Sequence, residues 1–447
     1  MIVQPTMHIS NKVFFKYLAL PVPVGEKGEG MAPFWPRPHG DAIIVVAALL
    51  LRTVRIALSS LDFAGRREPC FRAGGKAAGM RLLYLLTSLG IGGAERQATA
   101  LAQHMAGRGH TVALLVLRAP QDEQWPSDLP AVYLHMQKRP LPLLAGMLAG
   151  GCFVRRYRPD LIHSHTFPAN LAGRVLAPLA SSAKLLATIH NVFEGGWQRS
   201  LAYRLSDGLC VATTAVSRAV AERSIQAGMV PAHKCLVLPN GIDSGEFQPS
   251  AERRLRTRAC LGAAAAFVWL AAGRIVPAKD FPTLLRAFAL LRAAQPQALL
   301  WIAGEAGNST FDRMGKKLLD PALMTGVRWL GLRRDLPALL DGADGFVLSS
   351  AWEGMPLVVG EAMAMEKPVA ATDAGGVREL LGESGVIVPA GNPARLAEAM
   401  LGLMQLSDEQ RRAVGRAARQ RILERFSIEA IADRWEELYL RLLGLNA

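Results

Sequence analysis

Residues 345–361 read GFVLSSAWEGMPLVVGE, and the order of residue types in that stretch decides the fold. Gly345–Leu348 is a short apolar run suited to a strand buried on both faces. Ser349–Gly354 is a polar turn ending in glycine, and Pro356 stands where proline suits a first helical turn. Strand, turn and helix in that order form half of a βαβ unit. At such a junction the amides of Gly354, Met355 and Leu357, flanking Pro356, point unpaired into solvent at the positive end of a helix, which makes an anion site. Glu353 precedes the helix and Glu361 lies inside it, so the two carboxylates address different parts of one long ligand and can each accept hydroxyl hydrogen bonds. Taken alone, two glutamates eight residues apart read first as ordinary solvated or capping acids.

The same alternation continues on either side. Downstream of a turn-rich stretch at Pro239–Pro249, strands are predicted at 267–272, 298–303, 327–330, 345–348, 368–371 and 385–388, with helices at 281–293 and 356–365. Upstream, strands are predicted at 81–86, 111–117, 160–164, 184–189, 210–216 and 235–238. The expected fold class is α/β: two doubly wound Rossmann-like domains, 80–240 and 241–427, facing a cleft at the carboxyl ends of their strands. A helical stretch over 428–447 is expected to pack across the domain boundary. Residues 1–79 are rich in Pro and Gly and carry no sustained period. They read as a poorly structured N-terminal extension, or as sequence upstream of a functional start at Met80; within them, 43–61 fits a short amphipathic helix.

Composition narrows the function. An apolar fraction of 51% with 20% charged residues excludes a disordered or collagen-like chain. A net charge of +14 favours phosphate-bearing partners, while the lack of a basic stripe interleaved with aromatics argues against nucleic acid. Five scattered cysteines without a C-x-x-C pair suggest reduced thiols and a cytoplasmic location. The apolar run Ala42–Leu51 falls short of the roughly 20 residues a spanning helix needs, and no signal-peptide pattern opens the chain.

Three further clusters could carry chemistry. Ala272–Phe281, AGRIVPAKDF, follows a predicted strand and precedes a helix, so Arg274 and Lys279 project from one loop. A planar guanidinium and a mobile ammonium are complementary ways to hold a diphosphate. Gly90–Glu95, GIGGAE, is a partial phosphate fingerprint that lacks the full G-x-G-x-x-G. His163 and His165 end one strand on the same side, and His190 ends the next; a zinc pair lacks an evident third ligand, which favours hydrogen bonding.

The ordered motifs G-G-A-E, H-S-H, T-x-H-N, P-N-G-I-D, G-R-x(4)-K, G-E-x-G, W-L-G and E-x(7)-E resemble family 4 of the retaining, nucleotide-sugar-dependent glycosyltransferases, over roughly residues 80–447. The resemblance implies a GT-B fold with the acceptor on the N-terminal half and the donor on the C-terminal half. It implies Gly273, Arg274 and Lys279 at the donor diphosphate, Glu361 at the ribose hydroxyls and Glu353 at the donor sugar. Gly354, Met355, Pro356 and Leu357 would hold the sugar or distal phosphate, and Gly304, Glu305 and Leu330 would line the donor side. Gly92, Gly93, Glu95 and His163 would serve the acceptor. The implied catalytic set is Arg274, Lys279, Glu353, His165 and His190, the two histidines unranked. One departure is Gly304-Glu-Ala-Gly307 where the family usually has G-D-G-P.

The implied reaction retains anomeric configuration and uses the nucleotide-sugar as co-substrate, with no other cofactor. No D-x-D triplet occurs, so no metal is expected. A nucleotide-sugar 2-epimerase and a catalytically silent scaffold are the alternatives. The acceptor is expected to be a glycan or a lipid-linked sugar. Pro140–Gly150, followed by Arg155, Arg156 and Arg158, reads either as a helix packed on the sheet or as one docking peripherally on an anionic membrane, at its inner face.

Overall fold

The computed structural model describes residues 79–445 apart from 91, 120–127, 181, 264 and 306–324. Residues 1–78, including the helix expected over 43–61, and Gly307 lie outside the described residues.

The N-terminal half runs Arg81–Leu86 (β1), Gly93–Gly107 (α1), Thr111–Val116 (β2), Ala131–Tyr133 (β3), Pro140–Tyr157 (α2), Leu161–His165 (β4), Phe167–Leu176 (α3), Lys184–Ile189 (β5), Trp197–Ser206 (α4), Ala212–Ala215 (β6), Arg218–Gln226 (α5) and Cys235–Val237 (β7). The C-terminal half runs Ala251–Cys260 (α6), Val268–Ala272 (β8), Phe281–Ala294 (α7), Leu299–Ala303 (β9), Val327–Gly331 (β10), Leu336–Gly342 (α8), Gly345–Leu348 (β11), Leu357–Ala364 (α9), Val369–Thr372 (β12), Val377–Leu381 (α10), Val386–Val388 (β13), Pro393–Gln405 (α11), Asp408–Arg425 (α12) and Ile428–Leu443 (α13).

Among the described residues the strands form two parallel sheets, ordered β3-β2-β1-β4-β5-β6-β7 and β10-β9-β8-β11-β12-β13. This is the doubly wound α/β arrangement expected from the alternating pattern. Parallel strands covered on both faces must be apolar throughout: β8, VWLAA, and β11, GFVL, are buried at every position. Strand β3, only three residues long at the edge of the first sheet, was not expected. Helix α9 starts at Leu357 with Pro356 as its N-cap, so the proline stands just outside the first turn.

Strand order reverses between β1 and β4 in the first sheet and between β8 and β11 in the second. Loops diverge there to opposite faces and leave a crevice at the strand ends. The GGAE turn after β1 and His165 at the end of β4 flank the first switch point. The Arg274 loop after β8 and the Glu353 loop after β11 flank the second.

The chain passes between the halves twice, at one place. Ile242 donates its amide to the Phe426 carbonyl (2.7 Å), and Ile428 returns a bond to the Ile242 carbonyl (2.9 Å). After the second crossing, α13 packs on the N-terminal half: Ile431, Ala432, Trp435, Leu438 and Tyr439 join the core formed by β1, α1 and β2. Helix α2 lies on the same sheet through small residues, with Ala145, Gly146, Ala149, Gly150 and Val154 buried, while Leu141, Leu144 and Leu148 remain about half exposed.

Candidate functional site

At the second switch point the backbone geometry sets the side chains. Gly273 has φ +150°, a conformation that L side chains rarely adopt, and a Cβ there would lie 3.0 Å from Lys279 Cε. Glycine therefore lets the lysine stem run along the loop. Lys279 Nζ donates to Glu353 Oε1 at 2.6 Å, and the same oxygen accepts from Ser350 Oγ at 2.6 Å. Ser349 Oγ donates to the Lys279 carbonyl at 2.8 Å and ties the two loops together. Arg274 is exposed beside them, and no carboxylate pairs with it among the described residues.

The turn before α9 is held from the other half. The Gly354 carbonyl accepts from Ser217 Oγ (2.8 Å), and the Met355 carbonyl accepts from Asn240 Nδ2 (3.1 Å). No described residue bonds to the Met355 or Leu357 amide, so both remain available at the positive helix end. A Cβ at Gly354 would collide with the His190 carbonyl, so glycine permits the halves to approach here. Gly93 lies near Leu357, whose Cδ1 is 3.6 Å from where a Cβ would stand. Gly92 is the N-cap of α1, and Glu95 accepts from Ser88 Oγ at 3.3 Å.

Between α1, the 241–247 connection and the loops after β8, β9 and β10 lies a cavity of about 390 Å³. Its walls include Gly273, Arg274, Gly304, Glu305, Leu357 and Glu361, all named from sequence, together with Arg96 and Arg333, which were not. The size suits a small polar ligand. Glu361 is fully buried, and its Oε1 pairs with Arg96 Nη1 of the opposite half at 2.8 Å. Burial raises the pKa of this carboxyl, while Arg96 pulls the other way. Leu330 does not line the cavity: it is half-buried in β10 against the hydrophobic core, and Leu332 beyond the strand reaches the wall instead.

The first switch point sets two imidazoles side by side. His165 Nδ1 and His190 Nε2 are 3.0 Å apart. Burial lowers both pKa values, that of His190 to about 4, so both rings are neutral at pH 7. His163 must be removed from the acceptor set: it is buried, and its two ring nitrogens are taken by Tyr439 Oη and Thr188 Oγ1, each at 2.7 Å. It anchors α13 to β4 and offers an acceptor nothing. Among the described residues no group of three or more His, Cys, Asp or Glu side chains could hold a metal ion.

Comparison with known proteins places this geometry. A model described as Glycosyltransferase Family 4 matches residues 91–246, and one described as Glycosyl transferases group 1 matches residues 266–406. The glycogen synthase of Mycobacterium tuberculosis is 30% identical over 309 residues, covering 64% of this chain and 70% of the relative. The chain is a family 4 glycosyltransferase. An Escherichia coli enzyme named UDP-Gal:alpha-D-GlcNAc-diphosphoundecaprenol alpha-1,3-galactosyltransferase is 25% identical over 301 residues, 64% of this chain and 76% of that one. The crystal structure of Anabaena HepE with UDP-glucose superposes with a TM-score of 0.71 at 25% identity, covering 80% of this chain and 99% of that chain. The two enzymes are named as a glycogen synthase and a galactosyltransferase, and the epimerase alternative is not favoured.

Some residues that shape this glycosyltransferase escaped the sequence reading. Arg96 directly follows the GGAE motif, and a cation beside a ligand-facing turn was a usable signal. Asn240 stands within P-N-G-I-D, a connection and family motif that assigns no role to its asparagine. Ser217 had no signal at all, because its partner is a carbonyl 137 residues away.

Proposed function

We propose that this glycosyltransferase moves a sugar from a nucleotide-sugar held on the C-terminal half to a hydroxyl of a glycan or lipid-linked acceptor lodged on the N-terminal half, retaining anomeric configuration and using no metal. The observation that supports this best is the cavity at the second switch point, whose walls bring Arg274, Leu357 at the open end of α9 and the Glu361 carboxylate together. Cations and amides suit a diphosphate, and carboxylates suit hydroxyls. The relatives' names refer to UDP- and GDP-linked sugars, so the donor is a nucleoside diphosphate sugar.

In the reaction the bond from the anomeric carbon to the diphosphate breaks, and the acceptor oxygen bonds to the same face. Negative charge grows on the departing phosphate, and Arg274, Lys279 and the N-terminus of α9 stabilise it. Lys279 exchanges its Glu353 partner for phosphate, which frees Glu353 for the donor sugar. The acceptor proton passes to the departing phosphate oxygen. Neutral His165 and His190 orient hydroxyls without adding charge. The test is incubation with a panel of UDP- and GDP-sugars and simple acceptors, with the anomeric configuration of the product read by NMR and the rate measured with and without EDTA. Inversion, or loss of activity with EDTA that added divalent cation restores, overturns the corresponding part.

A peripheral membrane contact at the cytoplasmic face belongs to the same reading. No helix of the described residues is long and apolar enough to cross a membrane. The exposed leucines of α2, Val175 of α3 and Leu205 of α4 lie on helices neighbouring on one face of the sheet, with Arg155 and Arg156 in the last turn of α2. Apolar groups beside cations suit an anionic bilayer. The protein should float with vesicles containing phosphatidylglycerol, and a variant with Arg155, Arg156 and Arg158 reversed to Glu should not; equal flotation of both removes this contact.

A further inference from the structure

The cavity is not built by the C-terminal half alone. Arg96, on the first turns of α1, crosses from the N-terminal half and pairs with Glu361 on α9. That carboxylate divides its two oxygens. Oε1 takes the guanidinium at 2.8 Å, whereas Oε2 is buried without a hydrogen-bond partner. A buried carboxylate oxygen left unpaired is costly unless something occupies the site. Two more buried polar atoms lack partners on residues lining the same cavity, Gln97 Nε2 and Thr99 Oγ1, both on α1. Gln97 is itself fixed, its Oε1 accepting the Gly241 amide at 3.0 Å in the connection between the halves.

We propose that Arg96 is a positioning residue for the donor: by holding one oxygen of Glu361 across the cleft, it presents the other to a donor hydroxyl and couples donor binding to closure of the two halves. The inference rests on the donor-site reading above. Pairing and ligand use different oxygens, so the ion pair and the donor reinforce one another and do not compete. The charged groups bearing on Glu361 are Arg96 from α1, Glu246 from the interdomain connection and Lys279 from the loop after β8. Arg96 and Lys279 favour the ionised carboxyl; Glu246 and burial oppose it. Loss of Arg96 therefore moves the carboxyl toward its neutral form, which accepts hydroxyl protons poorly.

The experiment measures binding of the UDP- or GDP-sugar that the wild-type chain holds most tightly, by calorimetry, together with steady-state kinetics, for Arg96→Ala, Arg96→Lys and Glu361→Gln. Arg96→Ala should weaken donor binding and raise the donor KM at least tenfold, with kcat changed less than threefold. Arg96→Lys should recover part of the loss. The acid side of the pH profile for donor binding should move to higher pH in Arg96→Ala, a change that a purely structural role would not produce. Thermal unfolding of each variant checks that the fold persists. Donor binding within twofold of wild type in a folded Arg96→Ala protein overturns the proposal, provided that Glu361→Gln weakens binding. Unchanged binding in Glu361→Gln, or no binding of any donor by the wild-type chain, overturns the donor-site reading itself and this inference with it.

Discussion

The two halves share a topology and differ in what they place at the point where strand order reverses. In the first sheet the switch point carries a histidine pair, His165 buried and His190 half-buried, and a glycine turn, with both imidazoles neutral at pH 7. In the second it carries Lys279 paired with Glu353, the exposed Arg274 and the open end of α9. Backbone geometry makes a crevice in both places; the side chains decide what each crevice can hold. One offers directional hydrogen bonds from neutral rings, and the other offers cations to an anion.

The largest effect should come from removing that charge. Lys279→Ala and Arg274→Ala should each lower kcat/KM by roughly a hundred- to a thousand-fold, as for loss of one group that stabilises a developing anion, with melting temperatures near wild type. Near-wild-type rates in both variants would erase the contrast between the halves. Next in size is the anchoring of α13. Trp435 is buried with its ring 4.7 Å from that of His163, so Trp435→Ala should cost about 3–5 kcal/mol of stability, measured by denaturant unfolding. A loss under 1 kcal/mol would mean that the helix is not part of the first half's core.

Acidification should separate two groups of the N-terminal half by sign. His190 has its pKa lowered by burial from 6.5 to about 4. Between those values the unfolded chain binds the extra proton, so this group's contribution is lost as pH falls from about 6.5 toward 4. Glu194, four residues on, is raised by burial from 4.5 to about 7; there the folded chain binds the proton, and stability is gained as pH falls through that window. Wild type should therefore lose stability relative to His190→Gln on acidification and gain it relative to Glu194→Gln, by about 3 kcal/mol at most in each case. Parallel curves for wild type and either variant would refute the corresponding shift. The smallest effect expected is for Ser217→Ala, which deletes one hydrogen bond between the halves and should cost about 1 kcal/mol.

Much of the architecture was readable because doubly covered parallel strands must be apolar: β1 and β5 have the predicted bounds, and β8 and β9 start within a residue of them. Strand β3 was not readable, since three residues carry no periodicity and the strand is fixed by pairing with the neighbouring β2. At the candidate site, the two loops of the second switch point were found because strand, turn and helix follow one another locally. What escaped depends on distant chain segments meeting. His163 was assigned to the acceptor because nothing near it in sequence announces Tyr439, 276 residues away, as its partner. The Arg96–Glu361 pair likewise joins opposite halves, and only the closed arrangement reveals it.

The double crossing at Ile242 and Phe426–Ile428 has a topological corollary. The second Rossmann unit is an insertion, spliced into the first between β7 and α13, so the first cannot finish its own hydrophobic core until the ribosome has delivered the last helix. Deleting the chain from Phe426 onward would leave the donor half almost whole and unroof the acceptor half, exposing Tyr84 and the histidine cluster that α13 covers.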